Sequence, residues 1–190
     1  TVMPAQPLTL YAGWRAGEVN YKVLRYEMDL NGQYVCVTAG EGTVTGVMGS
    51  SLALGTLAPG KEGFTFVRAT NTLSGGVETE ISAESISVAK GMTVKLYYDR
   101  IAHNLSWDFA DGEYTGSYTS GSVLYGAPIT APVPTLLGYV LSGWDSTVPT
   151  AMPAGDLAFT AQWKPGEYTI TFNTAGGSEI APITQDYGTN

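Results

Sequence analysis

Apolar side chains alternate with small or polar ones in several short stretches of this chain. Residues 105–109 place Leu105, Trp107 and Phe109 on one side of an extended segment, and 157–163 repeat the pattern. A period of two residues predicts β-strands that are buried on one face. Further strands are predicted within 21–37, 63–67 and 94–100. The pattern of 83–90 fits a short helix or a strand equally well.

Glycine and asparagine pairs predict where strands reverse. Asn31-Gly32 lies between two strand-like runs, and Asp111-Gly112 follows the Trp107 strand. Such pairs favour two-residue hairpin turns, in which both residues take positive φ. Long runs of strong helix formers do not occur. The sequence therefore predicts a mainly β fold, α+β at most.

Two internal repeats divide the chain. The segment TVMPAQPLTLYAGW (1–14) matches TAMPAGDLAFTAQW (150–163) at seven of fourteen positions. In addition, HNLSWDFADG (103–112) matches YTITFNTAGG (168–177), and LYGAPI (124–129) matches DYGTN (186–190). These offsets predict a closing strand at 1–14, a different module at 15–100, a full unit at 101–164 and the opening of another unit at 165–190.

Small units of this kind bury modest cores and are stabilised by their neighbours, so we expect closely coupled modules in an elongated array. Residues 1–14 form a one-faced strand that requires a sheet. We expect them to pair with something other than their own unit, and the opening strand at 168–174, of the same or a neighbouring molecule, is one candidate.

Composition narrows the functional classes. The 190 residues include 24 Gly and 12 Tyr and carry a net charge of −8, which disfavours binding to nucleic acid or anionic lipid. No apolar run is long enough to span a membrane. The single cysteine, Cys36, excludes an internal disulfide. A strand-rich, cysteine-poor chain fits an excised piece of a bacterial surface protein.

The unit 103–163 resembles the internalin-type B-repeat, also called the Listeria–Bacteroides repeat. The resemblance rests on six elements in order: the aromatic strand into a Gly turn, Tyr125-Gly126, Gly138-Tyr139, Gly143-Trp144, TAMPAGD and Trp163. Residues 19–100 are similar to mucin-binding-protein repeats in YKVLRYEMDLNGQY, GFTF, TLSG and VKLYYDR. The resemblance implies β-grasp-like modules of extracellular bacterial adhesins, anchored at the cell surface or wall through other regions, without implying a ligand.

Most candidate site residues have structural interpretations. Aromatic, Gly and Pro positions define the repeats, and core packing is expected for their rings: Trp14, Trp107, Tyr125, Gly126, Gly143, Trp144, Pro153, Trp163 and Phe172. Tyr97 and Tyr98 are adjacent in a predicted strand, so one should face away from the core, where it offers a ring for stacking on a sugar.

Reactive groups give weaker patterns. Cys36 is expected to be a buried small apolar residue. A thioester between Cys36 and a glutamine is the alternative, but neither Gln33 nor Gln185 is well placed for it. An isopeptide bond from Lys22 or Lys95 has no identifiable partner. His103 fits a solvated or boundary position. Asp108, Asp111 and Glu113 do not have the spacing of a calcium loop.

The sequence thus predicts no enzyme, no cofactor and no metal. It predicts a stalk or spacer with a host-contact role, whose partners are neighbouring repeats and host glycans or surface proteins. Two alternatives stay open: a glycan- or mucin-binding module at 15–100, and accessory domains of a larger secreted enzyme.

Overall fold

The computed structural model describes residues 7, 9, 11–38 and 42–189. The described residues are almost entirely β, as the sequence predicts, and their one helix has four residues. The elements in chain order are β1 (Glu18–Met28), β2 (Tyr34–Cys36), β3 (Thr43–Val47), β4 (Ser51–Ala53), α1 (Leu54–Leu57), β5 (Phe64–Thr72), β6 (Thr79–Glu80), β7 (Ser85–Ser87), β8 (Thr93–Arg100), β9 (Ala102–Asp108), β10 (Gly121–Leu124), β11 (Tyr139–Trp144), β12 (Leu157–Pro165), β13 (Glu167–Ile170) and β14 (Ile183–Asp186).

Two compact units share the chain. The first contains residues 1–61 and 65–99, and the second contains 62–64 and 100–190. The closing strand expected at 1–14 falls mostly on residues outside the described part, and the described residues 11–17 belong to no strand. The segment 83–90, for which helix and strand were equally expected, contains the strand β7.

The first unit is built on the parallel pair β1–β8. The strands follow the order β2-β1-β8-β5-β6, and β3 also pairs with β1. Along β8, Val94, Leu96 and Tyr98 are buried on one face, as the alternation predicts. The small sheet β4–β7 completes the unit.

The second unit has the same central feature. Its sheet runs β10-β9-β12-β11, and β9 and β12 are parallel. The core is a cluster of buried Leu105, Val123, Met152 and Phe159, against which Trp107 and other apolar side chains pack. A parallel central pair with antiparallel neighbours fits the expected β-grasp-like modules loosely.

The hairpin β13–β14 repeats β9–β10 in register. Ala102 pairs with Leu124 and Leu105 with Gly121 in the first hairpin. In the second, Glu167 pairs with Asp186 and Ile170 with Ile183. Every pair keeps the sequence offsets of the repeat, so residues 165–189 adopt the backbone pairing of the opening of 101–164.

A turn forms at each predicted position, but neither is a two-residue hairpin turn. The last pair of β1 and β2 is Met28–Tyr34, which leaves residues 29–33 between the strands, and the antiparallel partner of β9 is β10, which begins at Gly121. At Asn31-Gly32 only Gly32 has positive φ, because the Asp29 carboxylate accepts the N–H groups of Asn31 and Gln33 at 2.8 Å and widens the loop. After β9, the positive φ values belong to Ala110 (49°) and Asp111 (71°), one residue earlier than predicted.

The shift after β9 has a local cause that the repeat shares. The Asp108 carboxylate accepts the Ala110 N–H at 2.9 Å, and the Gly112 N–H donates to the Phe109 carbonyl at 3.0 Å. At the corresponding turn, Asn173 accepts the Ala175 N–H at 3.0 Å. A short polar side chain before the turn therefore fixes its position.

We expect Ala110→Gly to stabilise the second unit by about 0.5–1 kcal/mol, because alanine is strained at φ 49° and glycine is not. The matched control Ala158→Gly, in an exposed strand position of β12, should lower stability by about as much. Urea unfolding followed by tryptophan fluorescence measures both, since Trp107, Trp144 and Trp163 all lie in this unit. Loss of stability in both variants would contradict the strained turn.

Candidate functional site

A cluster of aromatic rings covers the second face of the β1–β8 pair. We call Tyr26, Tyr34, Arg68 and Tyr97 the tyrosine face. Tyr26 and Tyr97 lie directly opposite in the parallel register and stack at 5.2 Å with an interplanar angle of 26°. The Tyr34 ring meets Tyr97 edge-on at 5.1 Å. These separations are those of favourable aromatic pairs.

Arginine 68 closes the tyrosine face over Tyr97. Its guanidinium carbon lies 3.8 Å from the centroid of the Tyr97 ring, within the range of a cation–π interaction. Tyr97 is consequently only 8% exposed. Tyr98, on the other face, is fully buried, and its hydroxyl donates to the Pro59 carbonyl at 3.2 Å.

The expectation that one of Tyr97 and Tyr98 faces solvent is therefore wrong. Alternation does send the two rings to opposite faces, but both faces of the sheet are covered at this point. Neither ring presents its flat surface to a sugar in this conformation.

An ionic group borders the tyrosine face. Lys95 Nζ lies 2.5 Å from the Glu78 carboxylate, which also accepts the Thr70 hydroxyl at 2.6 Å and the Tyr97 hydroxyl at 3.1 Å. The hydrogen bond from Lys95, followed by the one from Thr70, lowers the pKa of Glu78 from 4.5 to about 2. The same partner raises the pKa of Lys95. Because three side chains donate to it, the Glu78 carboxylate holds Thr70, Lys95 and Tyr97 together and has a structural role.

Two tyrosines of the cluster have raised pKa values. The Tyr34 hydroxyl donates to the Asp99 carboxylate, and this hydrogen bond is the main cause of its raised pKa. Burial is the main cause for Tyr26, with the adjacent Cys36 as the next contribution. Both phenols therefore stay protonated at neutral pH.

Cys36 is exposed, and the prediction that it is buried is wrong. The residue lies on β2, a three-residue strand at the edge of the sheet, and on one flank no strand of the described residues covers it. Of the proposed cross-link partners, the Gln185 amide donates to Thr189 at 2.7 Å and Lys95 is paired with Glu78.

Asp108, at the end of β9, and Glu113, after it, both take part in backbone structure. Asp108 accepts from the turn, and Glu113 pairs through its main chain with Thr135. Among the described residues, no group of three or more His, Cys, Asp or Glu side chains is placed to hold a metal. His103 is partly buried in β9, with Nδ1 3.8 Å from the Asp156 carboxylate, which agrees with a boundary position.

The repeat-defining rings assemble the second unit. Trp107 stacks on Phe159 at 4.8 Å and meets Trp144 edge-on at 4.6 Å. The Trp163 indole donates to the Phe109 carbonyl at 2.9 Å. A Cβ on Gly112 would lie 2.4 Å from this indole, so only glycine fits beneath the ring.

Three other repeat-defining residues are exposed. The core packing expected for Trp14 is wrong, since it is 92% exposed in a segment that joins no sheet. Phe172, the counterpart of Trp107, is exposed just after β13. Pro153 is exposed as well, and the buried member of its motif is Met152, whose backbone bonds to Gly126 and Ala127.

The Tyr-Gly motif forms a contact that occurs twice in the second unit. A Cβ on Gly63 would lie 2.2 Å from the Tyr125 ring, and one on Gly138 would lie 2.4 Å from the Tyr187 ring. Beside these contacts the Ile101 N–H donates to Gly63 at 2.9 Å, and the Gly166 N–H donates to Gly138 at 2.8 Å. Each Tyr-Gly turn thus packs on a glycine that precedes an aromatic strand residue.

Sequence reasoning missed several of these residues. The identity of Met3 and Met152 within the repeated segment was a signal for Met152, and the shared Gly-aromatic pairs at 63–64 and 138–139 were a signal for the glycines. Arg68 and Glu78 carry no motif. Of the other repeat residues, Gly143 lies at the β-bulge where β11 shifts register against β12, and Gly126 has a φ of 75°.

We expect the first unit to lose stability as the pH falls from about 4.5 to about 2, because the pKa of Glu78 is lower in the folded state and the unfolded chain binds the proton first. Glu78→Gln should be less stable at neutral pH and show a smaller decline over this range. Urea unfolding followed by NMR signals of β8 amides measures the difference, with exposed Glu80→Gln as the control. An unchanged pH profile in Glu78→Gln would contradict the anchoring role.

No protein-family model matches this chain. It is similar to two proteins of Evansella cellulosilytica, named "Putative Gly-rich membrane protein" and "Putative membrane protein". The first is 27% identical over 204 residues, which cover 97% of this chain, and the second is 27% identical over 202 residues, which cover 95%. The chain spans only 21% and 26% of these relatives. Within residues 11–38 and 42–189, no helix has the length and apolar character required to cross a membrane.

Proposed function

We propose that this chain is a structural, adhesive repeat segment of an extracellular bacterial surface protein, in which it acts as a stalk or spacer with a host-contact role. The observation that carries the proposal is the recurrence of one hairpin, in register, within a single unit. The strand pairing, the turn and the contact of a Tyr-Gly motif with an earlier glycine all occur twice. The first copy uses residues 101–126 and Gly63, and the second uses residues 166–188 and Gly138.

Recurrence of this kind favours a role in architecture. Repeat proteins gain stability by stacking similar units, and each unit needs only its neighbour. The Tyr187–Gly138 contact is an example, because within the second unit it joins the hairpin 167–186 to the preceding repeat at 101–164. The resemblance to larger proteins named as membrane proteins supports a place in a long, membrane-associated chain. The proposal assigns no catalytic step to these residues.

The polar chemistry of the first unit also favours a structural role. Its most strongly perturbed carboxylate, Glu78, is held by Lys95, Thr70 and Tyr97. The rings of Tyr97 and Tyr98, which the glycan-binding alternative uses, are buried. Host contact would therefore use exposed rings or loops of the modules; on the tyrosine face, the half-buried Tyr26 is the ring to test.

We expect antibodies against this chain to label intact cells of the organism that carries it, and protease treatment of intact cells to remove the label. A cytoplasmic protein in the same cells is the control. Labelling that appears only after the cells are broken would contradict an extracellular location.

We further expect that exchange of residues 101–164, in the full-length protein, for an unrelated module of equal length preserves attachment of the cells to host material. Deletion of the same residues should weaken attachment by reducing reach. Loss of attachment on exchange, together with glycan-array binding that Tyr26→Ala abolishes, would support the glycan-binding alternative instead.

A further inference from the structure

The loop between β1 and β2 contains the one Asn-Gly pair of the sequence, Asn31-Gly32. Both residues are exposed, and they lie within residues 29–33, beyond the last strand pair of Met28 and Tyr34. Within residues 11–38 and 42–189, Asn31 is hydrogen-bonded only through its backbone N–H, which donates to Asp29. Its carboxamide is therefore free to turn toward the peptide nitrogen that follows it.

An asparagine side chain in such a position can react with its own backbone. The peptide nitrogen of the next residue attacks Cγ, the bond from Cγ to the amide nitrogen breaks, and ammonia leaves with the proton of the attacking N–H. Water then opens the resulting succinimide ring at either of its carbonyl carbons, which yields aspartate or isoaspartate. Glycine favours the attack because it has no Cβ to hinder it, and asparagine is accordingly among the thermolabile residues.

The Gly32 nitrogen is well placed for this attack. Its N–H donates to the Asp29 carbonyl at 3.3 Å, which is longer than an ordinary backbone hydrogen bond. A Cβ on Gly32 would have nothing within 4 Å, so the space around this residue is open. The other asparagines in the described part of the chain all precede residues that carry a Cβ: Asn20, Asn71, Asn104 and Asn173.

Asp111-Gly112, the one Asp-Gly pair of the sequence, has the opposite surroundings. An aspartate can form the same ring with loss of water in place of ammonia. Here, however, the Gly112 N–H donates to the Phe109 carbonyl at 3.0 Å, and a Cβ on Gly112 would lie 2.4 Å from the Trp163 indole. The nitrogen is bonded and the glycine is fixed beneath a ring. Two turn motifs that look alike in sequence therefore differ in reactivity.

We propose that Asn31 is a site of spontaneous covalent modification, at which the Gly32 nitrogen displaces the side-chain amide as ammonia and water then produces aspartate and isoaspartate. Water is the only co-reactant that the reaction requires. The modified fraction of the protein therefore increases with the age of the molecule. The inference goes beyond the proposed function and does not depend on the proposed surface location.

The isoaspartate product alters the loop that positions Tyr34. The Asp29 carboxylate accepts the N–H groups of Asn31 and Gln33 at 2.8 Å, and the Asp29 N–H donates to the Gln33 carbonyl at 2.8 Å. Isoaspartate continues the chain through its side-chain carbons, which lengthens the backbone between Asp29 and Gln33. Because these hydrogen bonds fit the original length, we expect the longer loop to loosen the start of β2, where the Tyr34 hydroxyl donates to Asp99.

Incubation of the folded chain in water enriched in a heavy oxygen isotope tests the proposal. Samples taken over time at mildly alkaline pH are digested in ordinary water and analysed by tandem mass spectrometry. We expect the Asn31 peptide to lose its amide and take up a solvent oxygen, and chromatography should separate its aspartate and isoaspartate forms. The rate should rise with pH, because the attack removes the Gly32 N–H proton. The Asn173 and Asp111 peptides should stay unlabelled over the time in which half of Asn31 is converted.

Asn31→Gln is the matched control, because glutamine keeps an amide in the exposed loop but would have to close a larger ring. This variant should keep the circular dichroism of the unsubstituted chain and lose the label at position 31. NMR amide signals of β2 should shift as isoaspartate accumulates in the unsubstituted chain, and they should stay constant in Asn31→Gln. An Asn31 amide that survives in the folded chain as long as the Asn173 amide would overturn the proposal. Labelling of the Asp111 peptide at the rate of the Asn31 peptide would overturn the distinction between the two turns.

Discussion

The parallel pairing of β9 with β12 is the interaction on which the second unit depends, because it joins strands about fifty residues apart and closes the core between them. Phe159 reaches Trp107 only through this pairing, and Trp163 reaches the turn at Phe109 by continuing the same strand. The entropy of closing so long a loop is lost before these contacts form. The aromatic contacts along one strand compensate for that loss together.

The second copy of the opening hairpin separates what is local from what the closing strand adds. β13–β14 keeps the register and the turn of β9–β10. The turn after the first strand of each hairpin is therefore set by nearby residues, above all by the short polar side chain before it. Burial is not local, because Ile170 remains half exposed where Leu105 is covered. The closing strand β12 completes the core, and the hairpin provides the strand along which β12 pairs.

Sequence reasoning succeeded where the determinant was local or repeated. Alternation identified the strands around Trp107 and Phe159, and the repeat offsets identified the paired hairpins. It failed where the surroundings decide: Cys36 is exposed because β2 is an edge strand, and Tyr97 is buried because Arg68, 29 residues earlier, covers its ring. Alternation specifies opposite faces for Tyr97 and Tyr98, but it does not specify whether a face is covered.

The two units cover their sheets by different means. In the first unit, stacked tyrosines, Arg68 and the Glu78–Lys95 pair cover the second face. These charges are engaged with one another, so they are poorly placed to attract a charged partner. In the second unit, the stacked rings of Trp107 and Phe159 and the apolar cluster around Leu105 cover the sheet. The first unit therefore depends partly on the ionisation of Glu78, whereas the second depends chiefly on apolar contacts.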